Sequence, residues 1–209
     1  MTTPEDLAAA AREAGVDDPR VLAAMRALPR ADFVPPERAG VAYRDQPVPI
    51  PHGQVTTQPS LSAQMVQGLH LTGTERVLEI GTGYGYQTAL LARLAVHVTS
   101  VERWADLAET ARRHLAAAGV DNVRVVVGDG SQGVPDGAPY DAVLVSAAFP
   151  QVPRPLVEQL RDGGRLVQPI GPGGQEEVVG FARTPDGLVE RERLVPARFV
   201  RLYGQYGYR

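Results

Sequence analysis

The sequence contains no cysteine, which excludes a disulfide framework, a thiolate zinc site and a catalytic cysteine together. It also lacks an excess of positive charge. The formal net charge is -3, and no run of basic residues provides the electrostatic footprint typical of nucleic-acid-binding proteins. No apolar stretch approaches the ~18 residues of a membrane span, and the N-terminus has no basic region ahead of an apolar run. These absences predict a soluble, cytoplasmic protein with neither nucleic acid nor membrane as a partner.

What is present is a regular alternation of strands and helices. The 209 residues suffice for one domain with a sizeable core. Five apolar runs are predicted as strands: ERVLEI (75–80), HVTSVE (97–102), NVRVVVGDG, YDAVLVSAA and GGRLVQPI. Three helices are predicted between them: YQTALLARLA (86–95), ADLAETARRHLAAAG (105–119) and VPRPLVEQL. The alternation predicts an α/β fold with a mostly parallel sheet and helices on both faces.

The two ends of the chain have different patterns. Near the N-terminus, Thr3 with Asp6 forms a capping-box pattern for one helix that stops at Gly15, and Asp18 can cap a second helix that ends at Pro29. These helices predict a small N-terminal helical extension, followed by an irregular, proline-rich stretch over 30–58 and a helix from Pro59 to about Leu69. At the other end, VVGFART, Pro185-Asp186-Gly187 and LVERERLV predict an antiparallel C-terminal hairpin. We expect one structural unit in which residues 1–58 form the N-terminal helices and a loop, and residues 59–209 form the α/β domain.

A glycine-rich turn follows the first predicted strand. Gly81, Gly83 and Gly85 come directly after VLEI, where the backbone must turn tightly and let a ligand approach closely. Glu102 ends the next strand about twenty residues on, where a carboxylate can accept hydrogen bonds from both ribose hydroxyls. Asp129 ends the third strand, beside the expected place of an adenine ring. Together these residues predict a nucleotide-type cofactor, although a glycine-rich turn can also be only a turn.

The spacing of these glycines separates two cofactor classes. A dinucleotide-binding dehydrogenase requires G-x-G-x-x-G, but Tyr86 stands where the last glycine belongs. The acidic Glu79, two residues before the turn, suits a cofactor with a cationic amino-acid part better than one with a pyrophosphate. The pattern resembles the S-adenosylmethionine-dependent methyltransferases, which have a Rossmann-like fold, and the C-terminal hairpin resembles the end of their seven-stranded sheet.

The segment PHGQVTTQPSLSAQM (51–65) has more hydrogen-bonding capacity than a connector requires. With GQVTTQP added to VLEIGTGYGYQTALLA, SVER, GDG, DAVLVSAA and RFVRL in order, the sequence resembles the protein-L-isoaspartate O-methyltransferase family over nearly its whole length. The resemblance implies methyl transfer from S-adenosyl-L-methionine, giving S-adenosyl-L-homocysteine, to the α-carboxylate of isoaspartyl residues in damaged proteins. The methyl ester then collapses to a succinimide, whose hydrolysis restores some aspartate.

The resemblance also implies the site residues. The family's active-site serine falls on Thr57, which keeps a hydroxyl and is the catalytic candidate, whereas the family's threonine falls on Val55, which cannot donate a hydrogen bond. The remaining acceptor-side candidates are Gln54, Val55, Thr56, Ser146 and Ala147. The cofactor candidates are Glu79, Gly81, Thr82, Gly83, Tyr84, Gly85, Gln87, Glu102, Arg103, Asp129 and Gly130. A carboxylate with an ordinary pKa near 4 is already ionised at neutral pH and needs no general base, so no metal ligand or catalytic histidine is expected, and His52 is interpreted as a surface loop residue.

Several alternatives stay open at this stage. Thr57 or Gln58 could merely cap the helix that begins at Pro59. Trp104, Tyr84 and Tyr86 could line an adenosyl pocket or serve only in packing. The function could instead be methylation of an ordinary aspartate in one dedicated biosynthetic peptide, non-catalytic cofactor binding, or RNA methylation, and the acidic composition argues against the last. We expect a monomer that acts on isoaspartyl proteins and peptides.

Overall fold

The computed structural model describes residues 3–172 and 174–209, and its centre is a seven-stranded sheet with the strand order β5-β4-β3-β6-β7-β8-β9. The strands are β3 (Arg76–Ile80), β4 (His97–Glu102), β5 (Val123–Val127), β6 (Tyr140–Val145), β7 (Leu160–Ile170), β8 (Glu176–Thr184) and β9 (Gly187–Ala197). The pairs from β5 to β7 are parallel, whereas β8 is antiparallel to both β7 and β9. The predicted mostly parallel sheet and C-terminal hairpin are therefore confirmed.

Two layers of apolar side chains cover the sheet because successive strand residues point to opposite faces. Val77 of β3 packs in one core with the N-terminal helices and with the helix that follows the glycine-rich turn. The next residue, Leu78, belongs to the second core on the other face, together with Leu156 and Leu166. The helices are α1 (Pro4–Glu13), α2 (Pro19–Arg26), α3 (Pro59–Gln67), α4 (Tyr86–Ala92), α5 (Ala105–Ala117) and α6 (Arg154–Glu158). Helices on both faces are thus confirmed.

The N-terminal extension forms as its capping signals predict. The Thr3 side chain accepts from the Asp6 backbone N–H while the Asp6 carboxylate accepts from Thr3, and the Asp18 side chain accepts from the Arg20 N–H at the start of α2. Within residues 3–172 and 174–209, no helix is both long enough and apolar enough to cross a bilayer.

The irregular segment 30–58 has more structure than its sequence predicts. It contains 3-10 turns at Arg30–Phe33 and Pro36–Val41, and then a short hairpin of β1 (Val48–Ile50) and β2 (Gln54–Thr56). The prolines favour short turns over an α-helix because each lacks a backbone N–H donor. This hairpin places the predicted acceptor-side residues Gln54, Val55 and Thr56 beside the carboxyl ends of the central strands.

Four predicted helices are longer than the observed ones. α2 ends at Arg26 instead of Pro29, α4 at Ala92 instead of residue 95, α5 at Ala117 instead of residue 119, and α6 covers only Arg154–Glu158. α4 has an identifiable cause for its early end. The Asn122 amide donates to the carbonyl oxygens of Ala92 and Ala95 at 2.9 and 3.1 Å, which replaces the helical partners of those groups. β7 begins at Leu160, which was the last residue of the predicted α6.

Candidate functional site

The glycine turn lies between β3 and α4, at the point where the strand order reverses and ligands bind in open α/β sheets. Gly81, Gly83 and Gly85 have φ angles of 98°, 56° and 93°, in the left-handed region that favours glycine. Gly85 also packs closely on α5, because a Cβ built there would be 3.5 Å from the Ala111 Cβ. The turn lines a concave cleft, the kind of place where small-molecule ligands bind.

Glu102 places a carboxylate on the wall of this cleft. One carboxylate oxygen accepts from the Gly83 N–H at 2.9 Å and the other from the Trp104 N–H at 3.0 Å. Burial raises the pKa of Glu102, and the backbone N–H donors oppose that effect. Each oxygen keeps a lone pair, so the carboxylate can accept from two ribose hydroxyls in addition to its backbone partners.

Glu79 occupies a different place from the one its sequence position suggested. It is fully buried behind the cleft wall, and its carboxylate accepts hydrogen bonds from Gln87, Thr88 and Ser100. Burial raises the pKa of Glu79 to about 7 despite these three donors. Gln87 does line the cleft, where its amide nitrogen bridges Glu79 at 3.0 Å and the Ser146 hydroxyl at 2.7 Å. Glu79 therefore reaches the cleft through Gln87.

Asp129 is covered by the C-terminal segment, whereas its neighbour Gly130 lines the cleft. The Asp129 carboxylate accepts from Ser131 and from the Gln205 N–H at 2.8 Å. Burial alone would raise the pKa of Asp129, but these donors outweigh it and hold the pKa below its usual range. A Cβ on Gly204 would lie 2.0 Å from the carboxylate oxygen, so only glycine fits this close approach.

The acceptor-side candidates form the opposite wall. The cleft is lined by Gln54, Val55, Thr56, Thr57, Ser146 and Ala147, along with the predicted cofactor residues Thr82, Tyr84 and Arg103. Thr57, Val55 and Ser146 also line an adjoining groove between the start of α3 and residues 195–200. Within the described part of the chain, the Thr57 hydroxyl has no hydrogen-bond partner. It stands where the cleft and the groove meet, available to a ligand.

The helix-capping interpretation of Thr57 and Gln58 is wrong. Gln58 is the N-cap residue of α3, but neither side chain bonds to the free N–H groups of the helix. Asp45 caps α3 instead, since its carboxylate accepts from the Ser60 N–H at 2.8 Å and from the Ser60 hydroxyl at 2.7 Å. Gln58 supports this contact by donating to Asp45 at 2.8 Å. The cap comes from fifteen residues before Ser60, too far for a local capping pattern to show.

Sequence analysis missed Arg30, which is the largest fully buried side chain near the site. Its guanidinium donates to the Thr56 hydroxyl at 2.8 Å and to the Thr57 carbonyl at 3.2 Å, as well as to three carbonyls of the preceding segment, those of Ala42, Arg44 and Gln46. An isolated arginine beside prolines normally indicates an exposed position, so the sequence gives no signal for this burial.

Only some of the aromatic residues near the cleft line it. Tyr84 and Tyr86 line it, whereas Trp104 does not. The Trp104 indole instead stacks on the imidazole of His52, with the ring centroids 4.0 Å apart, and His52 also bonds to Asp106 at 2.8 Å. His52 is an exposed loop residue as predicted. Arg103 lies over both Trp104 and Tyr203, at 5.1 and 5.5 Å from the ring centroids.

The C-terminal segment also contributes to the site, which sequence analysis did not predict beyond Leu202. Tyr203 lines the cleft, and the backbone N–H of Tyr206 donates to Ser131 at 3.0 Å. Repeated glycine and tyrosine in 203–209 resemble a loop pattern, and only the fold brings that loop to Asp129.

Comparisons with known proteins agree with this architecture. The family model for protein-L-isoaspartate(D-aspartate) O-methyltransferase matches residues 2–207. The protein-L-isoaspartate O-methyltransferase of Methanoculleus marisnigri is 52% identical over 197 residues, which cover 94% of this chain and 89% of that protein. A solved protein-L-isoaspartate O-methyltransferase superimposes with a TM-score of 0.85 at 30% identity, over 98% of this chain and 67% of that one. A Plasmodium falciparum structure with S-adenosyl-L-homocysteine shares the fold, with a TM-score of 0.81 at 23% identity, over 97% and 99% of the two chains.

The cleft has the groups that S-adenosylmethionine requires. Its glycine turn leaves room for close backbone approach, Glu102 offers acceptors for the ribose, and Gln87 has a buried amide oxygen without a partner in the described chain, which can accept from an amino group. The resemblance drawn from the sequence motifs is thus confirmed. The chain belongs to the protein-L-isoaspartate(D-aspartate) O-methyltransferase family and is an S-adenosylmethionine-dependent carboxyl O-methyltransferase.

Proposed function

We propose that this enzyme methylates the α-carboxylate of isoaspartyl residues in damaged proteins and that Thr57 holds this carboxylate. The supporting observation is the position of the Thr57 hydroxyl, which lacks a partner in the described chain and lines both the cofactor cleft and the adjoining groove. A peptide in the groove can present a carboxylate at this junction. The hydroxyl then donates to one carboxylate oxygen while the other remains available for reaction.

The chemistry requires positioning more than proton transfer. S-adenosylmethionine bound in the cleft would supply a methyl group on a cationic sulfonium, and the acceptor carboxylate would supply the electron pair for the new carbon–oxygen bond, with S-adenosylhomocysteine as the leaving group. The acceptor carboxylate is ionised at neutral pH, so the chain needs no base to activate it. Thr57 and the neighbouring backbone orient the carboxylate, and an alignment of this kind supplies several kcal/mol of the barrier. In the methylated peptide, the backbone nitrogen of the following residue then attacks the ester carbonyl and expels methanol, which gives the succinimide.

Different cofactor-side residues contact different parts of the cofactor. In this proposal, Glu102 accepts from the ribose hydroxyls, and Gln87 faces the amino-acid part with the buried Glu79 behind it. Gly81, Gly83, Gly85 and Gly130 form the close backbone wall. Asp129 has its carboxylate occupied by the C-terminal segment, so we assign it to holding that segment over the cleft, and the direct adenine contact stays a prediction.

The dedicated-peptide alternative is not favoured. Relatives matched over nine-tenths or more of this chain, including two with 52% identity, are named protein-L-isoaspartate O-methyltransferases. The monomeric state, the cytoplasmic location, the absence of nucleic acid as a partner and the division of the chain at residue 58 stay predictions.

A pair of peptides tests the function directly. The peptides differ only in aspartate or isoaspartate at one position, and methyl transfer from labelled S-adenosylmethionine is measured on each. We expect the isoaspartyl peptide to be methylated and the aspartyl peptide to remain essentially unlabelled. Equal labelling contradicts the repair function, and preference for the aspartyl peptide supports the dedicated alternative.

A further inference from the structure

Arg30 is a fully buried cation whose partners are neutral. Its relative exposure is 0%, and within residues 3–172 and 174–209 it forms no ion pair with a carboxylate. Its Nε also lacks a hydrogen-bond partner in that part of the chain. Burial lowers the pKa of Arg30 to about 10, so the side chain is still charged at neutral pH. A buried charge without an ion-pair partner is costly, and here it is offset by hydrogen bonds to carbonyl and hydroxyl oxygens and by the nearby Asp45 and Tyr86.

These hydrogen bonds connect two separate segments. Nη1 donates to the Ala42 carbonyl at 2.9 Å, and Nη2 donates to the Gln46 carbonyl at 3.1 Å. Nη2 also donates to the Thr56 hydroxyl at 2.8 Å and the Thr57 carbonyl at 3.2 Å. One rigid, planar group thus fixes the segment 42–46 against the end of β2.

The same guanidinium lies beside the cofactor side. Its Cζ is 5.8 Å from the centroid of the Tyr86 ring, and Tyr86 is the first residue of α4, directly after the glycine turn. Tyr86 lines the cofactor cleft. Arg30 therefore stands between the element that forms the cofactor turn and the backbone that presents Thr57.

The contact with Thr56 also bears on the direction of Thr57. Thr56 is the last residue of β2, and consecutive residues of an extended chain point to opposite sides. The Thr56 side chain is buried against Arg30. Both residues border the cleft, but only Thr57, which is half-buried, also lines the groove. Holding Thr56 on the inner side, together with the Thr57 carbonyl, directs the Thr57 hydroxyl toward the acceptor.

We propose that Arg30 is a positioning residue for methyl transfer, which sets the place of the Thr56–Thr57 backbone relative to the cofactor turn. The inference rests on the proposed role of Thr57 in holding the acceptor carboxylate. Misplacement of a reacting group by about 1 Å can reduce a rate by about a hundredfold, so the loss of this anchor acts on turnover.

The experiment compares Arg30→Met and Arg30→Lys with Arg165→Met as the matched control. Arg165 also has a buried Nε without a partner in the described chain and donates to a backbone carbonyl and to Glu75, but it lies away from the cleft residues. We measure kcat and KM for the isoaspartyl peptide, the cofactor Kd by calorimetry and thermal unfolding. All kinetics are taken at a temperature where every variant is folded.

We expect Arg30→Met to lower kcat about thirtyfold or more with the cofactor Kd within about twofold, and Arg30→Lys to recover part of the loss. Arg165→Met should lower the unfolding temperature and keep kcat. An unchanged kcat in Arg30→Met, or a parallel loss of cofactor affinity, overturns the proposal.

A double-mutant cycle with Thr57→Val separates this proposal from the role of Thr57 itself. If Arg30 acts through Thr57, Arg30→Met should cost much less in the Thr57→Val background than in the wild type. Fully additive losses overturn the proposal while the role of Thr57 stands. Full activity in Thr57→Val removes the role of Thr57 instead.

If Arg30→Met fails to fold, two variants of Thr56 test the proposal instead. Thr56→Val removes one acceptor of Arg30, and Thr56→Ser keeps it. We expect a several-fold lower kcat in the valine variant and recovery in the serine variant, with equal kcat in both overturning the proposal.

Discussion

The two walls of the cleft are built by different means. The cofactor wall consists mainly of backbone and strand-end residues, such as the glycine turn and Glu102, whose places follow from the parallel sheet. The acceptor wall, residues 54–57, belongs to a short hairpin outside the main sheet. Two side chains support the acceptor wall. Arg30 fixes the backbone at Thr56 and Thr57, and Asp45 caps the helix that follows.

The two walls should therefore differ in their sensitivity to mutation. The sheet and its core hold the backbone of the cofactor wall in place. Single side-chain changes in that wall should therefore alter cofactor affinity. A wall supported by two side chains, the buried Arg30 and the half-buried Asp45, depends on each of them, so single changes there should alter turnover. The following predictions test that contrast.

The largest expected effect lies on the cofactor side and depends on pH. The folded-state pKa of Glu79, about 7, is above its ordinary value of 4.5, so the folded protein binds more protons between these values and stability falls as pH rises through that window. The contribution of Glu79 to the free energy of unfolding should fall by about 2 to 3 kcal/mol between pH 5 and pH 8. Glu79→Gln lacks this contribution, which denaturant unfolding of both proteins across the pH range measures.

Carboxylates with lowered pKa values, such as Glu75, contribute in the opposite sense and in both proteins. The difference between wild type and variant therefore reports Glu79 together with its charge interaction with Glu102. Parallel stability curves from pH 5 to pH 8 contradict the prediction.

Thr57→Val on the acceptor side should lower kcat/KM for the isoaspartyl peptide by roughly ten- to a hundredfold, because a hydrogen bond to a charged group contributes about 1.5 to 3 kcal/mol. Cofactor affinity should change little, and Thr57→Ser should keep most activity. Since Asp45 caps α3, the valine variant should also keep its thermal stability. A valine variant that is destabilised but fully active would contradict the prediction that changes in the acceptor wall alter turnover.

Glu102→Gln on the cofactor side should weaken cofactor binding by about tenfold, because it removes an ionised acceptor while an amide oxygen remains for one backbone donor. Calorimetry with S-adenosylmethionine measures the change. Turnover at saturating cofactor should stay within a few-fold of the wild type. An unchanged Kd in a folded variant removes Glu102 from the ribose site.

The smallest expected effect is that of Asp45→Ala, which removes the cap of α3 and should cost about 1 kcal/mol of stability. Thermal unfolding measures this loss, and Asp18→Ala at the start of α2, far from the cleft residues, is the matched control. If the acceptor wall depends on its anchors, Asp45→Ala should also reduce kcat by a few-fold and Asp18→Ala should not. Equal kcat values in the two variants mean that the wall tolerates loss of this anchor.

The cofactor wall was predictable from the sequence because its signals are local. Glycines at a left-handed turn and a carboxylate at a strand end follow from the strand-helix alternation, and the structure places Gly81, Gly83 and Glu102 on the cleft. Glu79 shows the limit of this reasoning, since its distance from the turn is correct but its side chain faces the interior.

The acceptor wall was predictable only through family motifs. These placed Thr57 on the cleft, but its support depends on contacts between residues 15 to 27 apart in sequence, from Asp45 to Ser60 and from Arg30 to Thr57. Neither hydrophobic periodicity nor capping patterns detect contacts between residues so far apart in sequence. The covering of Asp129 by Gln205 is hidden for the same reason, because the partners are 76 residues apart.

The stacking of His52 on Trp104 provides an optical reporter that needs no label. Trp104 is the only tryptophan in the chain, so intrinsic fluorescence comes mainly from one indole with a known neighbourhood. One of its neighbours, His52, belongs to the loop of the acceptor hairpin, and another, Arg103, lines the cofactor cleft. Movement of either wall therefore changes the surroundings of the same fluorophore, and stopped-flow fluorescence can time cofactor binding and hairpin motion in the unmodified enzyme.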